Sequence, residues 1–307
     1  MTKCHLDIEI PNVKAFNYET SEDLPQSHQQ VQCIGARGSG KTIAIVNLLK
    51  KMNYDRIFWV SPTCKSNQTI MSMLKINEED IYEDIDDVTV PDQIKAEIEE
   101  EARKYDEYHR KMKKYRQFIK QKEHKNVIDD ELLLEFFNPN SEQFEKPEHW
   151  LDGKRAHMAC VYDDCLGSLL FSKGARKITN MAILHRHLGS VNEEGGGALG
   201  CSLYYLTQSF KTQTGGIPKA VRNNSTSLII FKTKSDRELQ EIQEEVGGEV
   251  SKEDFYKIYN YATKDPHSFL FVDLHPKKNH PSKYRKCFNE YIVCEDTQKE
   301  AKPPTNS

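Results

Sequence analysis

The chain has 307 residues, of which 29% are charged and 37% hydrophobic, and it carries a formal net charge of −4. This length allows one large domain or two small ones with a sizeable core. The sequence has no run of 18 apolar residues, so no transmembrane helix is predicted. The net charge excludes a uniformly basic nucleic-acid-binding surface but allows a local basic face.

The first 30 residues form a mixed segment outside the main pattern. A short strand is predicted at His5–Ile10, and a polar stretch with two prolines follows. Acids and a proline stand where a signal peptide would need apolar residues, so we expect a protein that is not secreted. The eight cysteines never fall as Cys-x-x-Cys, which favours free thiols in a reducing compartment over disulfides or structural zinc.

From Val31 onward the chain alternates between short apolar runs and helical stretches. Val31–Ile34 is an apolar run that enters a glycine-rich segment, and Lys41–Lys51 has the spacing of an amphipathic helix. Arg56–Ser61 has the composition of a buried strand and is closed by a proline. Such alternation is typical of a parallel sheet covered by helices.

Residues 78–150 interrupt this alternation. An acidic stretch comes first, and a long helix is predicted from about Pro91 to Lys125. Apolar residues recur three and four positions apart along it and form one stripe: Tyr105, Tyr108, Met112, Tyr115 and Ile119. Residues 97–107 hold six acids against two bases, and residues 110–125 hold eight bases against one acid. The stripe predicts a helical excursion docked on the core, and the basic half leaves open a contact with DNA or a neighbouring subunit.

The α/β pattern resumes after this insertion. Strands are predicted at Met158–Tyr162, Ser202–Leu206, Ser227–Phe231, Ser268–Asp273 and Arg285–Val293, and helices near Asp236–Val246 and Lys252–Thr263. We therefore expect one α/β domain over residues 31–293, with three layers around a mainly parallel sheet and a long charged helical insertion at about 78–150. Residues 294–307 are predicted to be a disordered tail.

The residues after the first predicted strand match the pattern G-x-x-x-x-G-K-[ST] in full. They are Gly35, Ala36, Arg37, Gly38, Ser39, Gly40, Lys41 and Thr42. The strand before and the helix after supply the context that this phosphate-binding loop requires. Its glycines let the backbone curl around a phosphate chain, with amides directed inward at the positive end of the helix. The sequence therefore predicts binding of ATP with Mg²⁺, with Lys41 on the β- and γ-phosphates and Thr42 on the metal.

A second magnesium ligand is expected at the end of a neighbouring strand. Asp163 and Asp164 directly follow Met158–Tyr162, and we assign Asp163 to Mg²⁺ and Asp164 to the catalytic base that polarises water. Two adjacent acids favour hydrolysis over simple binding, and the structural alternative is an acid pair that caps a turn. Asp273 also ends an apolar strand and is the second candidate for the acid.

The order of these elements narrows the fold class. One strand lies between the loop and Asp163, and the strand after Asp163 ends near Gln208. P-loop ATPases of the RecA/ASCE-like type have this order, with a polar sensor on a fourth strand inserted beside the strand of the phosphate loop. Gln208 is therefore predicted to hydrogen-bond the γ-phosphate or the attacking water, with a plain polar turn as the alternative.

Two arginines are candidates for a positive charge delivered to the γ-phosphate from a neighbouring subunit. Arg186 precedes the fourth strand and Arg222 precedes the fifth. Such a charge would stabilise the transition state of hydrolysis. A structural or surface role is the alternative for each.

These motifs together resemble those of viral genome-packaging ATPases. GARGSGKT, VYDD, the pair Arg186-His187, LTQS and the PxxxRxN segment around Arg222 occur in the order found in the poxvirus-type packaging ATPases. These are enzymes of large eukaryotic DNA viruses and virophages within the FtsK–HerA superfamily. The resemblance covers roughly residues 31–275, and its last three motifs are more specific than the first two, which many ATPases share.

The resemblance implies an ATP-hydrolysing motor that packages double-stranded viral DNA into a capsid. Its partners would be double-stranded DNA, further copies of itself in a ring and capsid or portal proteins, with no membrane. It would work in the host cytoplasm at the viral factory, in the nucleus or in the virion. Gln208 would be the sensor, and Arg186, preferred over Arg222, would be the arginine at the subunit interface.

Three features depart from the family pattern. Asp164 stands where cellular relatives usually carry glutamate, whose side chain is longer. Residues 78–150 form a larger insertion than the family core needs. Glu193–Gly197 adds a loop, predicted to be flexible, before the fourth strand.

Other functions fit the phosphate-binding loop less well. The alternative is another P-loop enzyme, such as a DNA helicase or a nucleotide kinase, and a third hypothesis is a scaffold that binds nucleotide without hydrolysis. A kinase would need an arginine-rich lid, and a helicase would need motifs that track a single strand. The presence of Lys41 and both acids argues against the scaffold.

The distribution of charge refines the meaning of the net charge. The stretch Cys165–Ser235 contains nine bases against two acids, a charge of +7, so the rest of the chain carries −11. We expect its lysine loops, Ser172–Lys177 and Lys211–Gly216, to contact the phosphates of DNA. The sequence thus predicts an acidic protein with one basic face.

Overall fold

The structure is a computed structural model that describes residues 18–64, 68–123, 130–140, 143–212, 216–248 and 250–293. The strand predicted at His5–Ile10 and the tail predicted at 294–307 lie outside these residues. The strands in chain order are β1 (Gln30–Ile34), β2 (Arg56–Val60), β3 (Ile81–Tyr82), β4 (Phe137–Asn138), β5 (Gln143–Phe144), β6 (Met158–Asp163), β7 (Ser190–Val191), β8 (Gly197–Ala198), β9 (Ser202–Thr207), β10 (Ser227–Phe231), β11 (Phe269–Asp273), β12 (Tyr284–Lys286) and β13 (Glu290–Tyr291).

The helices of the described residues lie between these strands. They are α1 (Lys41–Met52), α2 (Gln68–Leu74), α3 (Val90–Glu123), α4 (Asp130–Phe136), α5 (Leu169–Ser172), α6 (Ala175–Leu184), α7 (Lys219–Asn223), α8 (Asp236–Val246) and α9 (Lys252–Ala262). The 3₁₀ turn Glu78–Asp80 precedes β3.

One large sheet organises the domain, in the strand order β13-β12-β11-β10-β1-β9-β6-β2-β3. The six strands from β10 to β3 are parallel, and β11, β12 and β13 extend the sheet in antiparallel pairs. The fourth strand of the motif order, β9, lies between β1 and β6, as the sequence predicted. The predicted class, an α/β P-loop fold of the RecA/ASCE-like type with a mainly parallel sheet, is confirmed.

The central strands are buried on both faces, because helices cover the sheet on either side. Every residue of β1, β6, β9 and β10 is buried, and most of their side chains are apolar, as expected for parallel strands covered on both faces. On one face, α1 and α2 pack with Val31, Cys33 and Val161. On the other face, α3 and α6 pack over β6 and β9, and α8 and α9 pack over β10 and β11.

The helix α1 begins inside the phosphate-binding motif. Gly40 precedes it with φ +104°, and Ala44, Ile45 and Leu48 form part of its buried face against the sheet. It ends at Met52 because Asn53 takes the left-handed conformation, with φ +53°, and its N–H donates to the carbonyl of Leu49. The first turn of α1 is therefore held rigidly at the end of β1.

The insertion is docked on the domain through the first half of α3. Ile94 and Ile98 are fully buried against the sheet, and Tyr105 of the predicted stripe belongs to the same apolar cluster. Met112 of the stripe is also buried. Arg56, at the start of β2, attaches the insertion to the sheet by forming ion pairs with two acids of the insertion. Its Nη2 lies 2.7 Å from Asp80 Oδ1 and 3.0 Å from Glu97 Oε2.

The loop predicted to be flexible joins β7 and β8 and is tied to α3. Asp106 accepts hydrogen bonds from the backbone N–H groups of Asn192 (3.0 Å) and Glu193 (3.0 Å). Burial opposes ionisation of this carboxyl, yet those hydrogen bonds lower the pKa of Asp106. Lys113 also forms an ion pair with Glu193. The insertion thus supports the hairpin that leads into β9.

The prediction of a lysine loop at Ser172–Lys177 is wrong. Only Lys173 and Gly174 separate α5 from α6, so Arg176 and Lys177 lie in the first turn of a helix. The sequence pattern does not predict this arrangement, because α5 has only four residues and Gly174, which directly precedes α6, is typical of a turn. The second predicted lysine loop, Lys211–Gly216, is only partly within the described residues. Among the described residues, no helix is both long enough and apolar enough to cross a membrane.

The packing of α3 predicts a large effect of one side chain on stability. Ile98 has no exposed surface, so Ile98→Ala should lower the free energy of unfolding by about 2–5 kcal/mol, measured by urea denaturation. The control is Ile183→Ala on α6, where the side chain is 55% exposed and the expected change is within about 0.5 kcal/mol. Equal effects of the two substitutions would contradict the docking of the insertion on the core.

Candidate functional site

The phosphate-binding loop leaves β1 in a close-packed turn. The Gly35 N–H donates to the carbonyl of Thr207 on β9 at 3.1 Å. A Cβ at Gly35 would lie 2.6 Å from Ser39 Oγ and 2.8 Å from Phe231 Cβ, so a larger residue cannot fit without displacing its neighbours. Gly40 takes a φ of +104°, which strains any residue with a side chain. Glycine is therefore required at Gly35 by close packing and at Gly40 by backbone conformation.

Lys41 points back into the loop that precedes it. Its side chain is buried, and Nζ donates to the carbonyl oxygens of Gly35 (2.7 Å) and Ala36 (3.3 Å). The ammonium is thus held at the centre of the curl, beside the free N–H groups of the first turn of α1. A cation and a helix N-terminus in one place form a binding site for an anion such as a phosphate chain.

Asp163 lies beside the start of α1, although it is 121 residues away in the chain. Its Oδ2 is 3.5 Å from the Thr42 hydroxyl, because β6 and β1 flank β9 and their carboxyl ends meet at one edge of the sheet. Burial raises the pKa of Asp163 to about 6, and the neighbouring charge of Asp164 adds to this rise, while Lys41 and Thr42 oppose it. A cation at this point would favour the ionised form.

The donor set at this point fits Mg²⁺. A carboxylate and a hydroxyl are hard oxygen ligands, and Mg²⁺ is usually bound through one or two such groups together with phosphates of the substrate. Asp163 is 3% exposed, and an ionised carboxylate so deeply buried needs a compensating positive charge. The predicted pair Thr42 and Asp163 therefore lies where a magnesium site requires it.

Asp164 turns the chain away from the sheet and remains exposed. It takes the left-handed conformation with φ +53°, and its N–H donates to the carbonyl of Leu206 on β9 at 3.3 Å. Its Oδ1 is 3.5 Å from Nε2 of Gln208, the residue after β9. A carboxylate and an amide thus stand side by side near the loop, a suitable arrangement to orient a water molecule and accept its proton.

Both candidate arginines lie at the opposite edge of the parallel sheet. Arg186 precedes β9 and Arg222 precedes β10, whereas the phosphate loop follows β1, which runs parallel to both strands. Strands of five or six residues are about 17–20 Å long. Within one subunit, neither arginine is brought to the loop by this topology.

The two arginines differ in their surroundings. Arg222 is largely buried, donates to the carbonyl of Ile217 (2.7 Å) and lies 3.4 Å from Glu245. Arg186 is exposed in the turn after α6 and makes no hydrogen bond or ion pair with the described residues. Arg186 therefore remains available to another molecule, and Arg222 is committed to its own subunit.

Asp273, the second candidate for the strand-end acid, is excluded by the direction of its strand. β11 runs antiparallel to β10, and Asp273 pairs with Ser227 at the start of β10. The acid therefore lies at the edge of the sheet opposite the loop. There it accepts a hydrogen bond from the His275 N–H and lies 4.0 Å from Arg285. The strand was predicted, but its direction could not be read from its composition.

A cleft of about 1070 Å³ extends from Asp164 past the phosphate loop. One wall consists of the loop and one side of α1, from Lys41 to Lys51. The other wall comes from the antiparallel end of the sheet and from the chain before β1, and it was not predicted as part of the site. Its residues are Asp23, Leu24, His267, Phe269, Arg285, Cys287, Phe288, Asn289 and Tyr291. The sequence carried no motif there, because these residues converge only through the antiparallel pairing of β11 to β13.

Comparison with known proteins gives structural likenesses only. No protein-family model and no curated protein matches the chain. Similar solved structures include the pCW3 conjugation coupling protein TcpA, in its monomer form with ATPγS, at 14% identity and a TM-score of 0.39 over 80% of this chain. The cytoplasmic domain of the type VII secretion ATPase EccC of Thermomonospora curvata is 16% identical, with a TM-score of 0.39 over 82% of this chain.

A third similar structure is the genome packaging NTPase B204 of Sulfolobus turreted icosahedral virus 2 in complex with ATPγS, at 12% identity and a TM-score of 0.33 over 80% of this chain. The chain spans 57% of the length of TcpA, 25% of the EccC domain and 92% of B204. At these identities, the roles of the site residues rest on their own geometry.

Proposed function

We propose that this protein is an ATP-hydrolysing motor that translocates double-stranded DNA, with the packaging of viral genomes as its role. The observation that carries the hydrolysis is the meeting of Lys41, Asp163 and Asp164 at one edge of the sheet. The DNA-translocating role is supported by the motif order of the sequence and by the basic stretch Cys165–Ser235.

The side chains of the site divide the chemistry among them. Lys41 and the loop amides bind the β- and γ-phosphates, and Thr42 with Asp163 would hold Mg²⁺, which supplies charge neutralisation on those phosphates. Asp164 accepts the proton of the attacking water. Gln208, 3.5 Å from Asp164, keeps that carboxylate and the water in place. Because aspartate is shorter than glutamate, Asp164 needs the amide of Gln208 to help hold the water in line with the γ-phosphate.

The contacts with DNA come from bases that are free of partners in their own subunit. Lys177 pairs with Asp92 and Lys211 pairs with Glu245, so these two bases are already neutralised. Lys173 and Arg176 are exposed and make no ion pair with the described residues. We place the phosphate contacts of the motor at this α5–α6 junction.

The position of Arg186 implies an assembly of several copies. An arginine at the far edge of the sheet can reach a γ-phosphate only in a neighbouring copy, as in a head-to-tail ring. The partners of such a ring would be the DNA and capsid or portal proteins, and its place would be the viral factory in the cytoplasm, the nucleus or the virion.

Double-stranded DNA should stimulate hydrolysis of ATP by the purified protein, because a translocase couples the two. Release of phosphate is measured with and without a linear duplex. Lys41→Ala should abolish both rates, and Lys50→Ala, on the exposed face of the same helix, should change neither by more than about twofold.

A second pair of variants separates a DNA motor from another P-loop enzyme. The double variant Lys173→Glu/Arg176→Glu should lose the stimulation, whereas Lys50→Glu should keep it. Hydrolysis that is indifferent to duplex DNA contradicts the motor, and stimulation by single strands alone would favour a helicase. Hydrolysis that survives Lys41→Ala contradicts the site itself.

Mixing of two inactive variants tests the action of Arg186 across subunits. Arg186→Ala and Asp164→Ala should each lack hydrolysis, since one removes the arginine and the other the base. A mixture of the two contains interfaces with an intact base and an intact arginine, so it should recover part of the wild-type rate. Absence of any recovery, with mixed assemblies verified by mass spectrometry, would count against Arg186.

A further inference from the structure

The outer half of the cleft has a preformed wall. The residues of this wall have no role in the proposed hydrolysis. The wall begins beside the phosphate loop, where His267 Nδ1 lies 3.1 Å from the carbonyl oxygen of Ser39. It continues along the turn between β12 and β13, residues 287–289, to Tyr291. On the facing wall, the lining residues run along α1 from Lys41 to Lys51, a distance of about 15 Å. The cleft is therefore longer than a phosphate chain needs.

Arg285 fixes the position of this turn. Its side chain is only 2% exposed, and Nη1 donates to the carbonyls of Asp23 (2.6 Å) and Phe288 (3.2 Å). The guanidinium also lies 4.3 Å from the centre of the Tyr291 ring. One buried cation thus joins the chain before β1 to the β12–β13 turn, so the wall does not have to be ordered by a ligand.

The wall offers a flat apolar surface next to the phosphate loop. Phe288 packs edge-on against Phe269 (ring centres 4.9 Å apart) and Phe271 (5.5 Å), and its half-buried ring lines the cleft. A surface of this kind favours contact with a heteroaromatic ring. The phosphate loop next to it binds the charged end of the same molecule.

Asn289 is the polar group at the tip of this surface. Its side chain is exposed, lines the cleft and makes no hydrogen bond with the described residues. A carboxamide presents a donor and an acceptor together, and this pair complements the amino group and a ring nitrogen of adenine. Guanine presents no such pair of neighbouring groups at its O6 and N7 edge, where both atoms are acceptors.

We propose that the β12–β13 turn binds the base of the nucleotide whose phosphates occupy the loop, and that Asn289 reads the base as adenine. This inference rests on the nucleotide binding in the proposed function and adds the specificity of the same cleft. It assigns the antiparallel end of the sheet to recognition of the base, and the parallel part to the phosphates.

Equilibrium binding of fluorescent N-methylanthraniloyl ADP and GDP to the full chain tests the proposal without hydrolysis or DNA. The wild-type protein should bind the ADP probe about tenfold or more tightly than the GDP probe. Asn289→Ala should reduce this ratio to within about twofold. Asn289→Asp should shift it toward GDP, since a carboxylate accepts hydrogen bonds from the N1–H and N2–H₂ groups of guanine.

The control is Glu290→Gln on the same hairpin, because Glu290 does not line the cleft; it should keep the wild-type ratio. Competition by inorganic tripolyphosphate should be equal in all four proteins, since the loop is unchanged. An unchanged ratio in Asn289→Ala, or equal binding of both probes by the wild-type protein, overturns the proposal. Failure of DNA to stimulate hydrolysis would overturn the motor but leave this result standing, so the two failures are distinguishable.

Discussion

The candidate site depends on the insertion of β9 between β1 and β6. This order brings Thr42, in the first turn of α1, within 3.5 Å of Asp163, at the end of β6. It also sets Gln208 beside Asp164, because the carboxyl ends of parallel strands meet at one edge. The buried Asp163 is tolerated near the Lys41 ammonium and the positive end of α1. Loss of this strand order would separate Asp163 and Asp164 from Lys41 and Thr42.

The same strand order gives the parallel sheet two edges that differ in function. The edge at the carboxyl ends of the parallel strands (the carboxyl edge) holds the phosphate loop and the acids. The edge at their amino ends (the amino edge) holds Arg186. The antiparallel direction of β11 carries Asp273 to the amino edge, while it brings His267 and the β12–β13 turn to the loop. In the proposed motor, Arg186 acts on the nucleotide of a neighbouring copy, whereas recognition of the base needs only one chain. The insertion supports the hairpin before β9 through Asp106 and also pairs with the start of α6 through Asp92.

The sequence predicted those parts of the structure that depend on local pattern. Apolar runs such as Met158–Tyr162 are too short for helices, and the glycines of the loop have steric causes, so both could be recognised in the linear chain. The direction of β11 and the convergence of Asn289 with the loop depend on pairing between distant strands, which composition does not encode. The start of α6 was missed because Gly174 reads as a turn, although here it directly precedes a helix.

The central claim is that Thr42 and Asp163 act together on one cation bound with the nucleotide. A double-mutant cycle measures this directly: calorimetric titration of ATPγS with and without Mg²⁺ into the wild-type protein, Thr42→Ala, Asp163→Asn and the double variant. Each single substitution should remove most of the gain in affinity that Mg²⁺ gives, and the double variant should lose little more than either. Losses that simply add, or a Mg²⁺-dependent gain that persists in the double variant, would contradict the account.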